Sequence, residues 1–174
     1  MTDLSTIDAR KALAGKYAAK WAMDPVLLCA LVEHESSWNP WAVRYEPAFL
    51  ERYVKVTTPG VPTTLELTKA MSFGLGQIMG EVAVELGFNG RFLTELCDPD
   101  TGLDYAARKL HRCLTIHPPL KQSDGSFDYS LALLAYNGGS DKNYPKLVMQ
   151  FWSKYADPTG ATASVAASGS GGSD

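Results

Sequence analysis

Apolar positions recur along this chain at helical rather than alternating spacing. Leu13, Ala14, Tyr17, Ala18 and Trp21 form one stripe, as expected for a helix with one buried face. Ser5, with Asp8 three residues on, reads as the capping box that opens it. Asp24 and Pro25 read as the cap and first position of a second helix, running through LLCALVEHESSW. It is expected to stop at Asn39-Pro40, because a residue before proline avoids helical geometry. Short helices are expected over 45–55 and 65–71, with TTPGVPTT between them as a loop. The glycine-punctuated stretch SFGLGQIMG leads into a helix ending at Gly87. Further helices follow over 91–97, from Asp98-Pro99 to His117, from Asp128 through SLALLAYN to Gly138-Gly139, and over 143–156. VKVTT is the one strand candidate, and no internal repeat is visible. The pattern predicts a mainly α single domain with little or no sheet.

Composition narrows the picture. In a chain of 174 residues, folding buries about 70% of the unfolded surface, so no covalent staples are needed. Sixteen basic against 19 acidic residues give a net charge of −3, which argues against a nucleic-acid binder with a basic face. The longest apolar run, Val26–Val32, is far short of the ~18 residues of a membrane span, so no membrane insertion is expected. MTDLSTIDAR does not read as a secretory signal, so synthesis in the cytoplasm is expected. Cys29, Cys97 and Cys113 form no CxxC pair and read as free buried thiols. Residues 158–174, PTGATASVAASGSGGSD, carry no aromatic residue and one charge. They read as a flexible tail after a folded domain of residues 1–157.

The second helix carries the most informative residue. Leu28, Leu31, Val32 and Glu35 share one face, which puts a carboxyl group at the end of an apolar stripe. Burial and the negative end of the helix dipole both disfavour its charged form. A carboxyl group kept protonated near neutral pH is what glycosidic cleavage requires of a general acid. A buried glutamate satisfied by an arginine or a backbone partner fits the same spacing. Glu33 and His34 fall on other faces and are expected to be solvated.

Short motifs around this helix bear on that choice. ALVEHESSWNPWAV, with Glu35-Ser36 and Asn39-Pro40, resembles the helix-to-loop segment of soluble lytic transglycosylases and goose-type lysozymes. SFGLGQIM resembles their Gly-Leu-Met-Gln segment at Gly74, Leu75 and Gln77, with Gly76 where Met is usual. LALLAYNGG resembles their Ala-Tyr-Asn-Ala-Gly segment at Ala135, Tyr136, Asn137 and Gly139. DPDTGLDYAARKL matches more weakly, with Gly102, Ala106 and Lys109 where Asn, Gly and Tyr are usual. Residues 44–71, beginning RYEP, stand where the family has a much shorter connection. A similar insertion occurs in single-domain phage transglycosylases, to which the resemblance is closest.

The resemblance implies a lysozyme-like fold with a two-lobed substrate cleft, in which Glu35 is the catalytic residue. Ser36, Ser72, Gly74, Gln77, Tyr136 and Asn137 are the implied substrate-binding set. It further implies that the Tyr136 hydroxyl meets Glu35 and that Asn137 binds sugar. Read from chemistry alone, Ser36 would hold either the Glu35 carboxyl or the helix end. Gly74 and Gly76 either let a sugar ring approach the backbone or simply make a turn. The Gln77 amide suits hydroxyl and acetamido groups, Tyr136 is equally a core residue, and Asn137 equally a helix cap. Glu46 is a candidate second carboxylate, or a surface partner of Arg44 or Arg52. Trp21, Trp38, Trp41 and Trp152 are candidate sugar platforms or core residues. Cys97, His111, Cys113 and His117 are metal-ligand types, but their spacing fits no standard zinc site, so neither a metal nor another cofactor is expected.

The implied activity is cleavage of the peptidoglycan bond between N-acetylmuramic acid and N-acetylglucosamine by a monomeric enzyme, leaving 1,6-anhydro ends. A hydrolytic lysozyme and a non-catalytic wall-binding or virion protein are the alternatives. A cytoplasmic product acting on the cell wall implies release through a holin or delivery in a virion.

Overall fold

A computed structural model describes residues 2–156; the expected tail over 158–174 lies outside them. The chain opens with helix α1 (Ile7–Lys20), then α2 (Pro25–Ser36), strand β1 (Val43–Tyr45), α3 (Pro47–Tyr53) and α4 (Thr64–Lys69). Strands β2 (Met71–Phe73) and β3 (Ile78–Met79) lead into α5 (Gly80–Glu85), and a 3₁₀ turn (Leu93–Cys97) precedes α6 (Pro99–Ile116). A hairpin of β4 (Leu120–Lys121) and β5 (Phe127–Asp128) connects to α7 (Ser130–Tyr136), α8 (Tyr144–Met149) and α9 (Trp152–Tyr155). The mainly α expectation holds.

Local chemistry sets most helix starts. Asp24 accepts from the Val26 amide at 2.8 Å, with Pro25 behind it, and Asp98 accepts from the Thr101 amide at 2.9 Å. The cap of α1 is Thr6, which accepts from the Ala9 amide, and not Ser5. α2 ends three residues before the expected stop at Asn39. Ser37 and Trp38 both turn left-handed, at φ 51° and 64°, a conformation unfavourable for residues with a Cβ. Tertiary contacts hold the reversal: Trp38 is buried and its indole N–H donates to the Tyr155 hydroxyl at 2.7 Å. The expected last helix is split into α8 and α9 around Gln150-Phe151.

VKVTT forms no strand; Val54 instead follows α3 and is buried with Leu50 and Ala70. The strands are elsewhere. β1, β2 and β3 form a small antiparallel sheet, with Val43 opposite Phe73, Arg44 opposite Ser72, and Ser72 opposite Met79. The insertion over 44–71 therefore leaves the sheet through β1 and re-enters it through β2, carrying its own satellite core. Glu66 ties that loop down: its carboxylate accepts from the backbone of Thr63 and Thr57 and from the Thr63 hydroxyl. Those bonds hold its pKa down to about 2.

The main core lies where α2 meets α1, α8 and α9, and where α6 meets α7. Leu27, Leu28, Leu31, Val32, Leu103, Leu110, Leu133 and Val148 are fully buried in it. Their burial, at about 25 cal/mol per Å² of apolar surface, fixes the last turn of α2, and with it Glu35, against helices from the far end of the chain.

Candidate active site

Glu35 is partly buried at the end of the Leu28, Leu31 and Val32 stripe. The hydroxyl of Tyr144, the first residue of α8, donates to its Oε1. Burial raises the Glu35 pKa above the usual 4.5; the Tyr144 hydrogen bond and the charges of Lys109, His34 and Arg44 oppose that rise without cancelling it. The carboxyl group thus keeps its proton at a higher pH than an exposed glutamate, as the sequence pattern implied. Residues from four helices and a strand converge here: Glu35 and His34 on α2, Arg44 on β1, Lys109 on α6, Tyr136 on α7 and Tyr144 on α8. The His34 ring meets Tyr144 edge-on at 5.0 Å, so it is not the free surface residue expected from its face of the helix.

The Tyr136 hydroxyl does not donate to Glu35. It donates to the Gly76 carbonyl at 2.8 Å, while its ring lies beneath the Lys109 ammonium, 4.0 Å from the ring centre. The two glycines of the segment are filled by protein rather than open to a ligand. A Cβ on Gly74, which adopts φ +67°, would meet the Leu96 carbonyl at 2.2 Å, and one on Gly76 would meet the Ala106 Cβ at 2.3 Å. The family pattern has Met and Gly at these facing positions, where this chain has Gly76 and Ala106. In this chain Gly76 and Ala106 meet across one helix-to-loop contact.

Ser36 donates to the Leu75 carbonyl at 2.9 Å, which fastens the end of α2 to the glycine segment. It holds the helix end, not the Glu35 carboxyl. Gln77 adopts φ 46°. Its amide donates to the carbonyls of Ala42 and Gly74 and accepts from the Ser72 hydroxyl at 2.9 Å. Ser72, Gln77, Gly74 and the loop after Glu35 are therefore one hydrogen-bonded unit, a scaffold that fixes where β1 leaves Glu35. Asn137 closes α7 and is half-buried before the left-handed Gly138 and Gly139.

Glu46 forms an ion pair with Arg44 at 2.5 Å, and its amide donates to the Ala70 carbonyl. Trp38 is core, Trp21 donates to Asp104, and Trp152 stacks on Tyr129 at 5.9 Å. Trp41, 63% exposed in the loop between Glu35 and β1, is the one of the four that presents its face to solvent. Cys29, Cys97 and Cys113 are buried free thiols, and no cluster of three or more metal-ligand residues occurs among the described residues. No helix among them is long and apolar enough to cross a membrane.

Glu33 is not solvated. It is buried against α9, where it accepts from the Tyr155 hydroxyl and from Lys154 at 2.8 Å, with Arg10 at 3.7 Å. Tyr144 and Lys109 were also not singled out by the sequence pattern. Tyr144 carried no motif signal. Lys109 did carry one, as a charged residue where the family has tyrosine, one turn beyond Ala106 on the same face of α6.

The sequence profile of the transglycosylase SLT domain matches residues 12–156. The fold is similar to that of an inactive mutant of lytic transglycosylase Slt from Pseudomonas aeruginosa, with TM-score 0.56 and 16% identity over 84% of this chain and 24% of that one. It is similar also to the 70 kDa soluble lytic transglycosylase Slt70 from Escherichia coli, with TM-score 0.50 and 17% identity over 87% of this chain and 21% of that one. The chain thus spans about a quarter of the length of these proteins. No curated protein matches by sequence. With the profile match covering both the Glu35 helix and the Tyr136 segment, this chain belongs to the transglycosylase SLT domain family.

Proposed function

We propose that the protein is a peptidoglycan lytic transglycosylase that cleaves the bond between N-acetylmuramic acid and N-acetylglucosamine with Glu35 as its general acid and base. The observation that carries this is a half-buried carboxyl group with a raised pKa, held by a phenol at the end of the α2 core stripe, in a domain of this family. Glu35 protonates the leaving glycosidic oxygen as the bond breaks. The resulting carboxylate then takes the proton from the muramoyl 6-hydroxyl, which attacks its own anomeric carbon and closes a 1,6-anhydro ring. That hydroxyl is tethered to the reacting ring, so it has a high effective molarity relative to water. The acetamido oxygen stabilises the developing positive charge.

A retaining hydrolase needs a second carboxylate about 5 Å from the acid, and an inverting one needs a base at about 6.5–9.5 Å. The one candidate for either role, Glu46, has Arg44 as its ion-pair partner. Trp41 offers an exposed ring on which a sugar can stack. Ser72, Gln77 and Gly74 serve the reaction from behind, as the hydrogen-bonded frame of the glycine segment, and Ser36 fastens the end of α2 to that segment; Tyr136 supports it through the Gly76 carbonyl, and Asn137 is the sugar-binding residue of this set. We take the enzyme to act as a monomer on the cell wall, in a phage lysis or virion setting, on the likeness of the RYEP insertion to that of phage enzymes. Glu35→Gln tests the assignment. The variant should fold with an unchanged melting temperature and lose nearly all clearing activity on purified peptidoglycan. Substantial clearing by a folded Gln variant would refute the role of Glu35.

A further inference from the structure

Tyr144 holds the Glu35 carboxyl group, yet its own stretch of chain restrains it little. It opens α8 directly after residues 138–143, all of them exposed. That loop begins with the left-handed Gly138 and Gly139, where an added Cβ would meet nothing within 4 Å. Two bonds to Asp141 steady its far end. The Tyr144 amide donates to the Asp141 carbonyl at 3.2 Å, and the Asn143 amide to the Asp141 carboxylate at 2.8 Å. Both act on the backbone, so the direction of the phenol is set by what its ring packs against. One such neighbour is His34. Its ring meets the Tyr144 ring edge-on, with centres 5.0 Å apart and planes at 80°. The same imidazole lies 6.4 Å from the Phe151 ring, which follows the end of α8. His34 is thus wedged against the rings that bracket α8.

We propose that His34 is a positioning residue: its ring, packed edge-on against Tyr144, keeps the Tyr144 hydroxyl on the Glu35 carboxyl group. The inference rests on Glu35 being the reacting acid and base. Neighbouring residues on a helix point about 100° apart, and here both reach one phenol. Glu35 takes its hydroxyl and His34 takes its ring, so α2 grips Tyr144 twice. The hydroxyl matters most after Glu35 has given its proton away, because the negative charge it supports exists only then. A donor aimed in advance at a developing charge needs no reorganisation during the reaction. A ring free to swing would lose that advantage. Aromatic pairs favour this edge-to-face arrangement, and it restrains the Tyr144 ring while leaving the hydroxyl free to donate. His34 therefore acts through the phenol and affects turnover rather than substrate affinity.

The test is a double-mutant cycle on soluble peptidoglycan fragments, read beside NMR of protein carrying carbon-labelled tyrosine. His34→Ala should lower kcat about two- to tenfold, the strength of an aromatic pair expressed as a rate, with KM unchanged. His34→Phe, which keeps a ring at the contact, should restore most of it. In a Tyr144→Phe background His34→Ala should cost nothing further, since the two residues act as one unit. Equal losses in both backgrounds overturn the proposal, as does a rise in KM alone or a Phe variant as slow as the Ala variant. The Cζ resonance of Tyr144, assigned from Tyr144→Phe, reads the phenol without turnover. It should move in His34→Ala and return in His34→Phe, and an unmoved resonance in His34→Ala overturns the proposal equally. Should the Ala variant not fold, His34→Gln, which keeps bulk without a ring, is read in the same way. Clearing activity retained by Glu35→Gln would refute the enzymatic reading, while the Cζ resonance would still decide whether His34 places the phenol.

Discussion

The Tyr144 hydroxyl donates a hydrogen bond to the Glu35 carboxyl, joining residues 109 positions apart in the chain. Tyr144 is buried, and its pKa is raised by burial and by the Glu35 charge, so it stays a donor. The pair links the last turn of α2 to the first turn of α8.

Tyr144→Phe removes that donor without removing the ring. Hydrogen bonds to charged groups contribute about 1.5–3 kcal/mol, and about 1.4 kcal/mol is a factor of ten in rate. The carboxylate formed after proton donation loses this support, so clearing of peptidoglycan should slow about tenfold or more with the fold intact. Clearing rates measured beside circular dichroism check this. A Phe variant as fast as the parent would show that the phenol has no part in the reaction.

The Glu33 cluster predicts an acid-sensitive seam between α2 and α9. Burial works against ionisation of Glu33, but the hydrogen bonds from Lys154 and Tyr155 and the charges of Lys154 and Arg10 outweigh it, leaving its pKa below the usual 4.5. Its stabilisation is therefore complete above that value and is lost as the pH falls through the lower, folded one. Glu33→Gln should cost about 2–4 kcal/mol at neutral pH, less than a fully buried pair because Lys154 reaches solvent. As the pH falls below 4.5 the gap between the melting temperatures of parent and variant should narrow. A constant gap across that range would assign the cost to packing and not to charge.

The contact between Gly76 and Ala106 predicts a pair of linked substitutions. Gly76→Ala places a Cβ 2.3 Å from that of Ala106 and 2.9 Å from the Tyr136 hydroxyl, and overpacking of this kind costs about 1–3 kcal/mol. Adding Ala106→Gly should recover most of the lost stability in urea unfolding. No recovery would mean that the strain lies in the loop backbone.

What the sequence made legible was what short-range chemistry decides. Asp24-Pro25 and Asp98-Pro99 announced α2 and α6 because a cap needs only its next three residues. Glu35 stood out because its stripe lies within one helix. The sheet stayed hidden because strands of two or three residues carry no period, and β1 pairs with β2 across the whole insertion. Glu33 reads as solvated from its face of α2 because its partners, Lys154 and Tyr155, are more than a hundred residues away. Tyr144 carries no local signal for the same reason, its partner Glu35 being 109 residues away. The left-handed turn at Ser37 and Trp38 runs against residue preference and exists because Tyr155 holds Trp38.

The most direct test of the account is mass spectrometry of the muropeptides released from purified peptidoglycan, before and after borohydride reduction. With Glu35 as sole acid and base and the muramoyl 6-hydroxyl as nucleophile, the new muramic ends should be 1,6-anhydro and resist reduction. Predominantly reducible muramic ends would contradict the account. Loss of activity in Glu46→Gln would then identify the carboxylate that orients water.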